Sequence, residues 1–380
     1  MPSFPLFRLM LCCIIFLQVL PACSSLPVYS APPQGITVKP CTGITAGAPF
    51  APDPLGTRLA IARDGITLFD VSTGKSTRLS SDDPQAVAWS PDGRRLAVVL
   101  GGEGGSRVRI YDTTGTVLGS TTGPGAACAL AWHGNGEVLI ASLELKAYSF
   151  GANYRQLLLR WDGSAPPVTT ELYNSTLRDK VHKTLAPILD RLFTVALSPY
   201  GDAIVYARLQ DPPAFSPHLR FIVRNLVTGG EREAASATVT SGGAVFGGHD
   251  DVIWYGDGET ETVLLDPWQE QRLSTLPQPG SSLAASPGGM TLFVDGRLYQ
   301  NGRLLLTFPP DAAGTFSADG TRLFVRQSDR LYLVSGLPPD PAPPVPADKR
   351  ERLLTLRQWR SNGLITPAEF TTAAEGGGHP

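Results

Sequence analysis

The chain has 380 residues, 42% of them apolar, and a formal net charge of −2. This apolar content suffices for a large core, and the near-neutral charge, without a stripe of basic residues, argues against nucleic-acid binding. The 40 glycines and 34 prolines lie between short apolar runs and not in low-complexity tracts. Such a distribution is typical of a turn-rich, all-β protein and argues against a disordered one.

The first 22 residues predict an export signal. Arg8 precedes the apolar run LMLCCIIFLQVL, which has the length of a signal-peptide core and is too short to span a membrane comfortably. The run ends in Leu20-Pro21-Ala22-Cys23. Leu20, Ala22 and Cys23 resemble the lipobox of bacterial lipoproteins. The alternative is an ordinary secretory signal that is cleaved after Ala22.

The lipoprotein resemblance implies a lipid anchor at Cys23. This residue would become the mature N-terminus, because its thiol sulfur forms the thioether to the lipid, and several acyl chains would hold the protein on a membrane. Ser24 resembles the residue that follows the cysteine in outer-membrane lipoproteins. The resemblance therefore implies a location on the periplasmic side of the bacterial cell envelope, at the outer membrane.

Residues 23–34 are rich in proline and serine and predict a tether. Beyond Cys23, the mature chain contains Cys41 and Cys128. Export permits a disulfide between Cys41 and Cys128, which would pin the N-terminal segment to the rest of the fold. Two buried free thiols are an equally compatible alternative, since free cysteine favours protein cores.

One phrase recurs between residues 86 and 325. It consists of a short apolar strand, a tight turn of the type Ser-Pro-Asp-Gly, and a second apolar strand. Proline and aspartate suit the first positions of a type I turn, and glycine accepts a positive φ at its end. The five copies are AVAWSPDGRRLAVV (86–99), LAWHGNGEVLIAS (130–142), VALSPYGDAIVYA (195–207), LAASPGGMTLFV (283–294) and TFSADGTRLFV (315–325).

Residues 35–336 divide into about seven units of four predicted strands each. The first unit is assigned to Gly56–Ser80 and the last to Ala313–Gly336. Repetition of a four-stranded unit predicts an all-β protein, a β-propeller with seven four-stranded blades, with six or eight blades as alternatives. The segment Gly35–Cys41 is predicted to complete the last blade, because an open ring would expose strand edges.

The turn phrase resembles a repeat of a known protein family. The copy at Trp89–Gly93 reads Trp-Ser-Pro-Asp-Gly, and the copy at Phe316–Gly320 differs from it chiefly by Ala318 in place of proline. Both resemble the WD40-like repeat of the TolB-type propellers of the bacterial periplasm. The resemblance covers roughly residues 52–336 and implies the fold but not the function.

The first of two segments that interrupt the strand pattern is Ser175–Phe193. Leu177, Val181 and Leu185 lie at helical spacing within it. Ser175 or Thr176 is the expected helix cap. The segment is interpreted as an amphipathic helical insertion on one face of the ring, and its apolar stripe is a candidate partner surface.

The second segment that interrupts the strand pattern is the C-terminal segment 348–380. It follows a proline-rich linker at 337–347 and predicts a short helical hairpin. The residues that match the short C-terminal helical domain of many bacterial proteins are Leu353, Leu356, Gly363, Ile365, Thr366, Glu369 and Phe370. Trp359 stands in this pattern where the family has an aliphatic residue. The resemblance implies oligomerisation or docking through these helices, with Trp359 as a candidate contact.

No arrangement of residues in the sequence predicts catalysis. A Gly-x-Ser-x-Gly nucleophile elbow is missing from the sequence. His249-Asp250-Asp251 stands where blade five should have its turn and could offer imidazole and oxygen ligands to a metal. A polar turn is the favoured interpretation, because the sequence shows no second ligand cluster. We therefore expect no cofactor and no enzymatic activity.

The sequence as a whole predicts a non-enzymatic scaffold, tethered to the membrane by its lipid, that binds other cell-envelope proteins or peptides. The alternative is a small-ligand- or metal-binding propeller enzyme that uses the central channel. The predicted divisions are a signal peptide at 1–22, a tether at 23–34, a propeller at 35–336, a linker at 337–347 and a helical segment at 348–380.

Overall fold

The computed structural model describes residues 30–42, 44, 49–101, 105–133, 136–148, 151–178, 195–198, 203–209, 218–226, 228–238, 243–248, 252–268, 270–340 and 366. These residues form 28 strands in seven antiparallel sheets of four strands each. Each sheet is one blade.

The strands of the first six blades follow chain order within each sheet. Blade one contains β2 (Phe50–Pro52), β3 (Arg58–Ala62), β4 (Ile66–Asp70) and β5 (Ser76–Ser80). Blade two contains β6 (Pro84–Trp89), β7 (Arg95–Leu100), β8 (Gly105–Asp112) and β9 (Val117–Pro124). Blade three contains β10 (Ala126–Trp132), β11 (Val138–Tyr148), β12 (Gly151–Trp161) and β13 (Val168–Arg178).

Blade four contains β14 (Val195–Leu197), β15 (Ala203–Leu209), β16 (His218–Asn225) and β17 (Glu231–Thr238). Blade five contains β18 (Ala244–Phe246), β19 (Ile253–Gly256), β20 (Thr262–Asp266) and β21 (Gln271–Leu276). Blade six contains β22 (Leu283–Ala285), β23 (Thr291–Val294), β24 (Arg297–Gln300) and β25 (Arg303–Thr307). Blade seven contains β26 (Ala313–Phe316), β27 (Leu323–Gln327), β28 (Arg330–Ser335) and β1 (Thr37–Pro40).

The seven blades form a closed ring. The first strand of every blade contacts the first strands of both neighbouring blades, from β2 round to β26 and back to β2. The first strands therefore line the centre, and the fourth strands lie at the outer edge. The predicted all-β propeller of seven four-stranded blades is confirmed.

An N-terminal strand completes the last blade. β1 pairs with β28 in antiparallel register, with Thr37 opposite Ser335 and Pro40 opposite Tyr332. The hydroxyls of Thr37 and Ser335 lie 2.7 Å apart and share a hydrogen bond. Because β1 comes from the opposite end of the chain, this pairing joins the first residues of the ring to its last blade, as the sequence predicted.

Each blade has an apolar surface on both sides, because it packs between two others. In β7, Leu96 and Val98 point into the core shared with blade one, where Leu68 lies. Ala97 and Val99 point the other way, into the core shared with blade three. All four of these β7 side chains are buried. Successive side chains of a strand point to opposite sides, so one continuous apolar run contributes to the interfaces with both neighbouring blades. This explains sequences such as RLAVVL.

The predicted start of the helical insertion is wrong. β13 continues to Arg178 and pairs with β12 along its length, with Ser175 opposite Tyr154 and Thr176 opposite Asn153. Backbone pairing to a long neighbouring strand prevails here over the helical spacing of apolar residues. The remainder of the predicted insertion, 179–193, and both predicted C-terminal helices lie outside the described residues. Within the described ranges, no helix is long and apolar enough to cross a membrane.

Closure by β1 generates the first prediction. Val38 packs against the core of blades six and seven, which includes Tyr332 and Val334, whereas its neighbour Lys39 is exposed. Val38→Asp should lower the free energy of unfolding by about 2–4 kcal/mol, because it places an unpaired carboxylate against this core. Lys39→Asp, the same new side chain one residue further along, should cost far less. Denaturant unfolding followed by circular dichroism measures both, and equal losses would contradict the packing of β1.

Candidate interaction surface

The ring has two faces that the strand order distinguishes. In each blade the connection from the first to the second strand lies on one face, here called the turn face, and in five blades this connection carries the repeated turn. The connections from second to third strands, and from one blade to the next, lie on the opposite face, because the strands are antiparallel. The two faces are built from different kinds of residue.

The repeated turn is held together by its own serine and aspartate. In blade two, the Gly93 amide donates to the Ser90 carbonyl at 2.9 Å, and Gly93 has a φ of 66°. Ser90 Oγ donates to Asp92 at 2.5 Å and accepts from the Arg95 amide at 2.9 Å. The hydrogen bond from Ser90 lowers the pKa of Asp92. Since the carboxylate is engaged within the turn, it acts as a turn former.

An arginine after each of two turns stacks on a tryptophan of the next blade. The Arg58 guanidinium lies 4.8 Å from the centre of the Trp89 ring, and its Nη2 donates to the Gly93 carbonyl at 3.0 Å. Arg95 lies 4.7 Å from the centre of the Trp132 ring in the same way. Cation–π contact and a charged hydrogen bond together connect successive blades.

The same tryptophans bind the preceding blade through their indole nitrogens. Trp89 Nε1 donates to the Ala51 carbonyl at 3.1 Å, and Trp132 Nε1 donates to the Ala88 carbonyl at 2.9 Å. Trp132, Trp161 and Trp254 are all buried. These three side chains are therefore packed within the ring.

Blade six lacks the aspartate of the turn, and a residue beyond blade seven replaces it. Gly288 stands at the aspartate position, and Asp340 accepts hydrogen bonds from Ser286 Oγ and, at 2.8 Å, from the Met290 amide. The Asp340 amide donates to the Asp319 carbonyl of blade seven at 3.0 Å. Only 5% of Asp340 is exposed. We call residues 337–340 the C-terminal clasp, because they bind the turns of blades six and seven together.

The C-terminal clasp occupies the start of the segment 337–347, for which the sequence predicted only a linker. A signal for it was present, since SPGG of blade six lacks an aspartate and LPPD after the last strand supplies one. Only the three-dimensional structure brings the two together, because they lie 52 residues apart, from Gly288 to Asp340. On the turn face, the polar groups described above therefore form hydrogen bonds to their own turn or to a neighbouring blade.

The opposite face carries the longest strands of the described ring. β11, β12 and β13 have 11 residues each, and no other described strand exceeds eight. We define the blade-three extension as residues 143–148, 151–156 and 173–178 of these strands. It lies on the side of the blade where β11 turns into β12 and where β13 ends. Residues 179–194, which follow β13 in the chain, lie outside the described residues.

Aromatic packing supports the extension on the side of blade four. Tyr154 is fully buried, and its ring centre lies 5.5 Å from that of Tyr173. Arg208 of β15 lies 5.2 Å from the centre of the Tyr173 ring. Leu145, directly opposite Tyr154 in the strand register, is 38% exposed. An exposed leucine therefore stands beside a rigid aromatic base.

Three charged side chains of the extension, Glu144, Lys146 and Arg155, form ion pairs. Arg155 donates to Glu144 at 3.0 Å and to Glu171 at 2.8 Å. The side chain of Lys146 lies 3.5 Å from Glu144 and is 71% exposed. The hydrogen bond to Glu171 raises the pKa of Arg155. These ion pairs are solvent-exposed and contribute little to stability, so their charges are available to a partner.

The predicted partner surface at the insertion is only partly within the described residues. Leu177 lies in β13, opposite Ala152. The remaining candidates that fall outside the described residues are Cys23, Val181, Leu185, His249, Asp250, Asp251 and Trp359. Among the residues that the structure describes, no group of three His, Cys, Asp or Glu side chains could hold a metal ion.

Of the two alternatives that the sequence left open for Cys41 and Cys128, the structure does not show the disulfide. Cys41 is a free thiol that packs between blades one and seven, against the core of Phe69 and Leu331. Burial raises its pKa to about 11. Cys128 lies in β10, the innermost strand of blade three. The two cysteines belong to different sectors of the ring, so of the two alternatives the structure has the free thiol at Cys41.

The fold defines the class of protein as a seven-bladed β-propeller of the WD40-like type. No family model matches the chain, and comparison with curated proteins found no match.

Comparison with solved structures found similar rings at low sequence identity. A chain of the mitotic checkpoint complex is 17% identical, with a TM-score of 0.51 over 80% of this chain and 96% of that one. Hydrazine synthase of Kuenenia stuttgartiensis is 14% identical, with a TM-score of 0.51 over 77% and 97%. The Cps50 (Swd1) propeller domain of Myceliophteria thermophila is 14% identical, with a TM-score of 0.52 over 77% and 96%. These similarities show the fold alone.

The clasp generates the second prediction. Asp340→Ala should lower the free energy of unfolding by about 1–3 kcal/mol, because Ser286 Oγ and the Met290 amide would lose a buried acceptor. Adding Gly288→Asp should restore much of this loss, since it supplies a carboxylate at the position of Asp92 and Asp319. Denaturant unfolding compares the variants.

Asp311→Ala is the matched control, because Asp311 is an exposed carboxylate on the connection between the same two blades. If Asp340→Ala were as stable as Asp311→Ala, the clasp would have no energetic role. If Gly288→Asp failed to restore stability, this would contradict the claim that Asp340 supplies the carboxylate that the turn of blade six lacks.

Proposed function

We propose that this protein is a lipid-anchored scaffold of the bacterial cell envelope that binds another envelope protein or peptide on the periplasmic side and catalyses no reaction. The observation that carries the proposal is the blade-three extension, which presents an exposed leucine and solvent-accessible ion pairs on strands of unusual length. The lipobox-like Leu20–Cys23 supports the anchor.

The composition of the extension suits protein recognition. Leu145 supplies apolar contact, and the adjacent Tyr154 and Tyr173 hold the sheet rigid beneath it. Lys146 and Arg155 alternate with Leu145 and Tyr154 along the strands, so they project from the other side of the same sheet, where water reaches them. Apolar contact and accessible charge on a preorganised backbone both suit a protein interface. The repeated carboxylates, in contrast, are engaged in turns, so their role in the ring is accounted for by structure.

Substitution of Leu145 tests the partner surface. The tagged protein is cross-linked in cells and purified, and the proteins recovered with it are quantified by mass spectrometry. We expect Leu145→Arg to reduce recovery of at least one envelope protein about tenfold or more, because a charge would face the apolar contact. Leu273→Arg is the control, since Leu273 is 48% exposed on β21 of blade five.

Both variants must unfold at the same denaturant concentration as the unaltered protein for this comparison to hold. Equal recovery of every partner with Leu145→Arg and Leu273→Arg would show that the extension is not the binding surface.

Substitution of Cys23 tests the anchor. We expect the unaltered protein to be recovered with membranes and to carry acyl chains on its N-terminal residue by mass spectrometry. Cys23→Ala should be released into the soluble fraction, because a single buried acyl chain already holds a protein only marginally and this variant would have none. Membrane recovery of Cys23→Ala at the level of the unaltered protein would contradict the anchor.

A further inference from the structure

The chain between the proposed anchor and the ring is bound to one sector of the propeller. The Ser30 amide donates to the Thr307 carbonyl at 3.0 Å, and Ser30 Oγ accepts from the Thr307 amide at 3.0 Å. Thr307 ends β25, the outermost strand of blade six. Residues 37–40 then form β1, the outermost strand of blade seven. The N-terminal segment therefore follows the outer edge where blades six and seven meet.

The free length of the tether is short. Cys23 precedes Ser30 by seven residues, and a fully extended chain of this length spans at most about 25 Å. From this limit we infer that the outer edge of blades six and seven faces the membrane and contacts its lipid headgroups. The inference rests on the proposed lipid anchor at Cys23 and adds the orientation of the ring to it.

The side chains on this edge suit a headgroup surface. β1 and β25 together carry Lys39 and Arg303, both exposed, and neither strand contains an acidic residue. Leu304, next to Arg303, is 48% exposed. Cations near an anionic membrane surface each contribute about 1 kcal/mol of attraction, and an exposed leucine can enter the interface between headgroups and acyl chains.

The same orientation points the blade-three extension away from the membrane. In a ring of seven blades, blade three lies across the centre from the junction of blades six and seven. An edge-on ring therefore separates the lipid contact from the proposed partner surface by its full diameter. A ring that lay with its opposite face on the membrane would instead bring Leu145 to the lipid, so these two orientations are distinguishable.

Depth-dependent quenching tests the orientation. Full-length mature protein, acylated at Cys23, is reconstituted in vesicles of zwitterionic and anionic phospholipid that contain a headgroup-attached quencher. A fluorophore is placed on Leu304→Cys or on Leu145→Cys in a background of Cys41→Ser and Cys128→Ser. We expect quenching at position 304 to exceed that at position 145 at least threefold. Equal quenching, or stronger quenching at position 145, would overturn the proposed orientation.

A second pair of labelled positions repeats the comparison in case Leu304→Cys or Leu145→Cys fails to fold. Arg303→Cys and Lys146→Cys replace exposed side chains on the same two surfaces, and they should show the same order of quenching.

Vesicle flotation separates failure of the orientation from failure of the anchor. Protein that floats with vesicles only when Cys23 is present and acylated supports the anchor, and unequal quenching then decides the orientation. Protein that floats no better than Cys23→Ser would overturn the anchor and the orientation together. Protein that floats but is quenched equally at the two positions would overturn the orientation alone.

Discussion

Every blade of this ring has two apolar sides, and both are covered only when the ring is closed. Leu96 and Val98 of β7 need blade one, while Ala97 and Val99 of the same strand need blade three. A first or last blade with a missing neighbour would expose such a side to water. Pairing of β1 with β28 meets this requirement, because it joins the N-terminal residues to the last blade and thereby fixes all seven blades at once.

The turn face and the opposite face then have different roles. On the turn face, Arg58 reaches the next blade through Trp89 and the Gly93 carbonyl, and Asp340 supplies blade six with the carboxylate that its own turn lacks. These contacts hold neighbouring blades in register. The opposite face departs from the repeat at blade three, where the strands are longest. We place the proposed binding surface there because the repeat does not account for the greater length of these three strands.

The number of blades and the closing strand could be predicted from sequence, because both follow from local patterns. Apolar alternation marks each strand, and a glycine with positive φ marks most turns. The innermost strand of blade one was missed, since PDPLG does not resemble SPDG. In the structure Asp53 takes the position of the serine and accepts from the Thr57 amide at 2.7 Å.

The clasp and the end of β13 could not be predicted, because both depend on residues distant in the chain. Asp340 acquires its role only beside Ser286. Ser175 and Thr176 have the composition of a helix cap, yet the length of β12 decides that they extend a strand. The proposed binding surface lies on the same strand extension, so the sequence pattern and the structure both direct attention to this region, although the predicted secondary structure was wrong.

Lysine-specific cross-linking in intact cells, with mass-spectrometric mapping of the linked residues, tests the central claim most directly. Lys146 lies on the blade-three extension with 71% of its side chain exposed, and Lys75 is exposed on the turn face of blade one. The account predicts that links to other envelope proteins involve Lys146 in clear preference to Lys75. Links that concentrate on Lys75, or that involve the two lysines equally, would contradict it.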